Sequence, residues 1–144
     1  MYNWSPLDLN DVLKNFGDHP EFTRGIIAVS RPGQGLIHSI MCHIAGRPYE
    51  VFRAHLQSNA CSLGRFLYAN RNKIVVIDEF ESNDNLVINM LCAASDSGTI
   101  TYMDPIDSNQ TIRFKFNGII IIPCHDIDRL PPGLINRCIE LNFG

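Results

Sequence analysis

Asp78 and Glu79 stand side by side at the end of the apolar run Ile74-Val-Val-Ile77. Such a short run, rich in β-branched residues, reads as a strand buried on both faces rather than as a helix. Its carboxyl end is where open α/β sheets hold their ligands. An acidic, solvated turn would leave the same residues. A second cluster points to phosphate: the strand Gly25-Ile-Ile-Ala-Val-Ser30 runs into Arg31-Pro-Gly-Gln-Gly35, and an amphipathic helix follows with Ile37, Ile40, Met41 and Ile44 on one side. Strand, glycine turn and helix is the layout that aims backbone N–H groups at a phosphate. Cys42-His43 and Cys124-His125 invite comparison with zinc sites, but neither pair has a second close ligand pair at the usual spacing.

The elements that must position these residues alternate along the chain. Ser5-Pro6-Leu7-Asp8 starts a leading helix, with Leu9, Val12, Leu13 and Phe16 on its apolar face and Gly17 at its end. Strands follow over 25–30, 49–53 and 74–77, with a helix over 62–70 before the third. A further helix covers 86–94. The segments 98–103 and 110–116 alternate apolar and polar residues around Asp104-Pro105 and Asp107-Ser-Asn109, the pattern of a β-hairpin. Ile119 to Ile122 is another buried strand, Leu130 to Arg137 a short helix opened by proline, and Cys138 to Phe143 a last strand. Strands alternating with helices predict an α/β fold: a three-layer sandwich around a five-stranded, mostly parallel sheet, with a projecting hairpin. Residues 1–24 form a leading helix and linker, and residues 25–144 form the core.

Composition narrows the class. With 144 residues, 45% hydrophobic and 19% charged, the chain has enough apolar side chain for one globular domain and too little length for two. A net charge of -3 gives no global attraction to nucleic acid, so any such contact must use a local patch. No apolar run reaches membrane-spanning length, and the amino end lacks the basic start and apolar stretch of a secretory signal. Five cysteines scattered through apolar segments suit reduced, buried thiols. A cytoplasmic or nuclear protein is expected, with no membrane partner.

The order of these motifs resembles the nucleotide-binding core of AAA+ ATPases and of the related viral superfamily 3 helicases, over about Gly25 to Phe143. Ser30-Arg-Pro-Gly-Gln-Gly-Leu-Ile37 falls in register with the family's phosphate loop, which would make Pro32, Gly33, Gln34, Gly35, Leu36 and Ile37 the nucleotide-binding segment. Ile74 to Glu79 matches the Walker B pattern. By resemblance, Asp78 would position magnesium and Glu79 would be the general base that orients water. The strand Ile119–Ile122 leads to the sensor-1 place, with Cys124 its expected occupant. Leu130 to Cys138 resembles the segment that carries an arginine finger, which would make Arg137 a residue that reaches a neighbouring subunit's nucleotide. An arginine at a helix end is equally suited to the helix dipole, and Arg129 is a weaker candidate for the same duty. The segment 98–116 resembles the DNA-contacting hairpin of the helicases. There Arg113 and Lys115 leave the same face, with Tyr102 on the other arm, a set that suits single-stranded nucleic acid as well as any solvated strand.

Departures from the family pattern fall on the chemistry. Leu36 stands where lysine would hold the β- and γ-phosphates, Ile37 where a hydroxyl would hold magnesium, and Ser30 where the leading glycine belongs. Positioning and electrostatic stabilisation are nearly all that the protein contributes to phosphoryl transfer, so these losses imply weak or absent ATP binding and hydrolysis. The resemblance therefore implies a catalytically degenerate ATPase domain in a replication or remodelling assembly. It would act as an interaction or regulatory subunit, with a protein partner (a true ATPase) or further copies of itself. ATP or ADP with magnesium would be at most weakly held cofactors. The alternative is an active ATP-dependent helicase or ATPase domain with an atypical phosphate loop. No helical lid is expected after residue 144. His38, Ser39, Cys42 and His43 line the polar side of the helix after the glycine turn, and surface residues are expected there.

Overall fold

The structure, a computed structural model, describes residues 3–4, 24–29, 49–54, 59–78, 80, 84–104 and 110–142, with the backbone alone at 3, 4 and 142. The leading helix, the glycine turn with the helix after it, Glu79 and the hairpin tip at 105–109 lie outside the described residues.

The chain is α/β. Among the described residues its main sheet has six parallel strands: β1 (Asn3–Trp4), β2 (Gly25–Val29), β3 (Tyr49–Arg53), β4 (Ile74–Asp78), β7 (Ile119–Cys124) and β8 (Cys138–Asn142). Their order across the sheet is β1-β8-β2-β7-β4-β3. Five of them are the strands expected from sequence; the two-residue β1 adds an edge beside β8. The central strands are apolar at nearly every position, and Ile26, Ile27, Val75, Val76, Ile120 and Ile121 are all buried. An all-parallel sheet needs such cover on both faces.

Alternation divides the sheet into two faces. Ile27, Phe52, Val75, Ile77, Ile120 and Ile122 point to one face, where α1 (Ala60–Ala69) contributes Leu63 and Leu67 and α2 (Asn85–Ser95) contributes Val87, Met90, Leu91 and Ala94. Each helix starts on a side-chain cap: Asn59 Oδ1 accepts from Ser62 N at 2.8 Å, and Asp84 Oδ1 accepts from Leu86 N at 2.9 Å. Helix α2 ends where Gly98 takes φ 81, a left-handed conformation that costs glycine little, and its N–H returns to Ala93 O at 2.7 Å.

That turn delivers β5 (Thr99–Asp104), which pairs antiparallel with β6 (Gln110–Lys115) in a separate two-stranded sheet. The hairpin expected from sequence forms, but its described strands do not project. Its described part lies back on α1 and α2, with Ile100, Tyr102, Phe114 and Phe116 joining the core cluster. The expected helix over 130–137 is also shorter. A 3-10 turn over Ile127–Arg129 precedes α3 (Pro132–Ile135), whose Leu134 is buried.

Candidate functional site

In a parallel sheet every strand delivers its last residue to the same edge. Here β2, β7 and β4 bring Val29, Cys124 and Asp78 to that edge. The chain leaves β2 toward β3 on one side, and leaves β7 toward β8 on the other. Val29 pairs with Cys124, so the point where the connections diverge falls between these two residues. The ladder between β4 and β7 ends at Val76–Ile121, while β7 stays paired with β2 through Cys124.

Asp78 and Cys124 reach the same edge but leave opposite faces. Cys124 follows Ile120 and Ile122 and packs against the cluster under α1 and α2. Asp78 follows Ile74 and Val76 and so leaves the other face. Its strand partner is Arg53, the last residue of β3. Arg53 Nη1 lies 3.6 Å from Asp78 Oδ2, with the arginine side chain largely exposed and the carboxylate mostly covered. Sequence alone does not reveal this pairing, because it depends on the register between β3 and β4.

Burial pushes the Cys124 thiol up to about 11, with help from the Glu140 and Asp126 carboxylates. It is a neutral thiol at physiological pH, unsuited to nucleophilic or metal chemistry without first losing a proton against that field. The implied magnesium does not fit the described groups well. Asp78 already faces an arginine, and among the described residues no three His, Cys, Asp or Glu side chains converge on one point. The nucleotide-binding segment Pro32, Gly33, Gln34, Gly35, Leu36 and Ile37 lies outside the described residues, as does Glu79. So do His38, Ser39, Cys42 and His43.

Arg137 is not brought to this edge. It precedes β8, so it sits at the amino end of the sheet, where its Nη1 donates to Gly133 O at 2.7 Å and its Nε lies 3.8 Å from Asp96 Oδ2. The registers set Ile139 level with Val76, through Ile26 and Ile121. Arg137 and Asp78 are then separated by four residue rises along the strands and three strand spacings across them. That is on the order of 19 Å between Cα atoms. Within one chain, Arg137 and Asp78 cannot act on one ligand group. Arg129 is more exposed, with Nε 3.9 Å from Asp126 Oδ2.

On the hairpin, Arg113 opposes Thr101 and Lys115 opposes Thr99, and both cations are exposed on the outer face, as expected. Tyr102 is not with them. It opposes Ile112 on the inner face, 6% exposed, with its ring edge-on to Phe114 at 6.2 Å. Asp104 is also turned inward, where Arg65 of α1 holds it through Nε at 2.8 Å and a second contact from Nη2. That pairing raises the Arg65 pKa further and neutralises Asp104, one of the hairpin's two diluting carboxylates; the other, Asp107, lies outside the described residues.

No described helix is long and apolar enough to cross a membrane. No protein-family model matches the chain, and no curated protein matches it either.

Proposed function

We propose that the chain is a catalytically degenerate AAA+ or superfamily 3 helicase-like domain, serving as an interaction or regulatory subunit of a replication or remodelling assembly. The observation that carries this reading is the strand order β8-β2-β7-β4-β3, all parallel. It seats the strand leading into the glycine turn centrally and lays the Asp78 strand one place beyond β7, with all three carboxyl ends together. Burial of Ile26, Val76, Ile121 and Ile139 on the face opposite α1 and α2 supports a three-layer sandwich. Leu36 and Ile37 deprive the loop of its cation and its metal-binding hydroxyl. Arg53 beside Asp78 places a positive charge where an active site would want a dication. The distance of Arg137 from Asp78, across the sheet and at its other edge, supports a role toward a neighbour rather than in its own site. Free thiols at Cys61, Cys92, Cys124 and Cys138 suit a reducing compartment, cytoplasmic or nuclear.

Calorimetric titration of the protein with ATP and ADP in magnesium tests this. No binding in the micromolar range and no phosphate release are expected. Leu36→Lys combined with Ile37→Thr should raise nucleotide affinity by restoring both missing groups. Micromolar ATP binding by the unaltered chain, with turnover abolished by Glu79→Gln, would instead establish an active ATPase with an atypical loop.

A further inference from the structure

Among the described residues β6 has a strand neighbour on one side only, since β5 and β6 form a sheet of two strands. Phe116 N, just beyond β6, donates to Gly98 O at 2.6 Å. In an antiparallel ladder the backbone groups of successive residues point alternately toward and away from the partner strand. Gln110, Ile112 and Phe114 therefore bond toward β5, while Thr111, Arg113 and Lys115 turn their N–H and C=O groups to the other side. Asn117 continues that second series, and its N–H is taken by Arg71 O, just past α1, at 2.8 Å.

Helix α1 passes beneath the hairpin toward this open side. Gly64 lies against Tyr102 of β5; one turn later Tyr68 meets Phe114 of β6 edge-on at 5.2 Å. Tyr68 stays 42% exposed although it packs on a buried ring, and Ile112 is only half-buried. Both leave apolar area on the inner face, beside the open edge. Arg113 and Lys115 are exposed on the outer face, where Lys115 also donates to Ser97 O. Unpaired strand edges are where extended segments add as a further strand, with backbone bonds supplying affinity and alternate side chains supplying specificity.

We infer that the open edge of β6 takes an extended segment of a partner protein as a third strand of the hairpin sheet, one in which acidic residues alternate with apolar ones. Its carboxylates would lie opposite Arg113 and Lys115 on the outer face. The residue between them would be apolar and cover Phe114 and Tyr68, and a second apolar residue would cover Ile112. A second copy of the chain fits less well. Antiparallel pairing of β6 with itself brings the two copies' Arg113 side chains opposite or diagonal to one another, a repulsive arrangement. The site is built from the hairpin and α1, so it stands whether or not the chain binds nucleotide.

Fluorescence anisotropy with a labelled peptide, Ser-Glu-Val-Glu-Val-Thr-Ser, tests the assignment on the full chain. Saturable binding is expected. Arg113→Gln should weaken it about two- to fivefold, the range of one cross-strand charge pair, and Tyr68→Ser by a similar factor. Circular dichroism on each variant confirms that the fold persists. Only alternate residues of an added strand turn their amides to β6. N-methylation of one set, the glutamates or the valines, should therefore abolish binding, and methylation of the other set should be tolerated. Absent binding would overturn the proposal, as would equal affinity for Arg113→Gln, or loss with both methylated sets or with neither. Equal affinity for the scrambled Ser-Glu-Glu-Val-Val-Thr-Ser would also overturn it. Displacement of the peptide by a thymidylate oligonucleotide at equal concentration would give the cations to nucleic acid instead. Dimers in sedimentation that the peptide dissociates would give the edge to a second copy, and either result would remove the partner strand.

Discussion

Gly64 gives the sharpest test of how the hairpin is seated. It lies inside α1, on the side that meets β5, and a Cβ built there would stand 2.4 Å from Tyr102 Cγ, 2.7 Å from Cδ1 and 2.9 Å from Cβ. Helix propensity alone predicts that Gly64→Ala stabilises the protein by about 1 kcal/mol. Packing opposes it. Tyr102 is buried, hemmed in by Phe114, so the ring cannot swing aside. Overpacking of this kind costs about 1–3 kcal/mol. With three ring and Cβ atoms inside van der Waals distance, the upper half of that range applies, and the net loss should be about 1–2 kcal/mol. Urea denaturation followed by circular dichroism reads this as a lower midpoint at unchanged slope. In a Tyr102→Ala background the obstruction is gone, and the same Gly64→Ala change should stabilise by about 1 kcal/mol. The sign reversal is the signature of packing between α1 and the hairpin. If Gly64→Ala stabilises the otherwise unaltered chain, the hairpin does not rest on α1.

Two further outcomes follow from buried groups. The Cys138 thiol, buried beside Ser95 at 3.8 Å, is pushed from its ordinary 9.0 to about 12, chiefly by burial. The unfolded chain therefore loses this proton first, so stability is unaffected below pH 9 and falls between pH 9 and 12, by about 1.4 kcal/mol per pH unit at most. Cys124 adds a smaller fall between 9 and about 11, reduced because solvent reaches it. Denaturation midpoints from pH 8 to 11 should show a shallower decline in Cys138→Ala than in the unaltered chain; parallel declines would refute the assignment. Arg65→Met should destabilise the fold at neutral pH by leaving Asp104 covered and without its main cation, and Arg65→Met with Asp104→Leu should recover much of the loss. Double-mutant cycles in urea measure both.

The main sheet was legible because its strands are unambiguous: Ile74–Ile77 and Ile119–Ile122 are runs of β-branched residues that no soluble surface would carry. Leu63, Phe66 and Leu67 mark helix α1 in the sequence, and the structure starts it two residues earlier, after the Asn59 cap. What sequence could not supply was register. Arg53 faces Asp78 because Tyr49 pairs with Ile74, a fact of strand alignment and not of either segment. Tyr102 shows the same limit. Residues opposite one another across a hairpin share a face, so a one-residue change in register moves a ring from solvent to core. The pairing of Tyr102 with Ile112 decided against the outward placement. Nothing in the local sequence marks Tyr68 beyond an arginine three residues on, at a helix end, because its ring contact is with Phe114, far along the chain.

Parallel strands also divide the candidate chemistry between two ends of the molecule. Whatever ends a strand gathers at the carboxyl edge, and there Asp78 meets Arg53. Whatever precedes a strand gathers at the amino edge, and there Arg137 is anchored on Gly133 O and Asp96 with its guanidinium part-exposed. Separation of about 19 Å forbids cooperation within one subunit. Under the proposed reading, the part-exposed Arg137 at the amino edge would complete a neighbour's site, since it lies too far from Asp78 to serve its own. Arg137→Ala should then leave the isolated chain's stability nearly unchanged, because its ion pair is exposed and weak. A reconstituted assembly should lose activity in the partner; full activity with Arg137→Ala would remove the arginine from the mechanism.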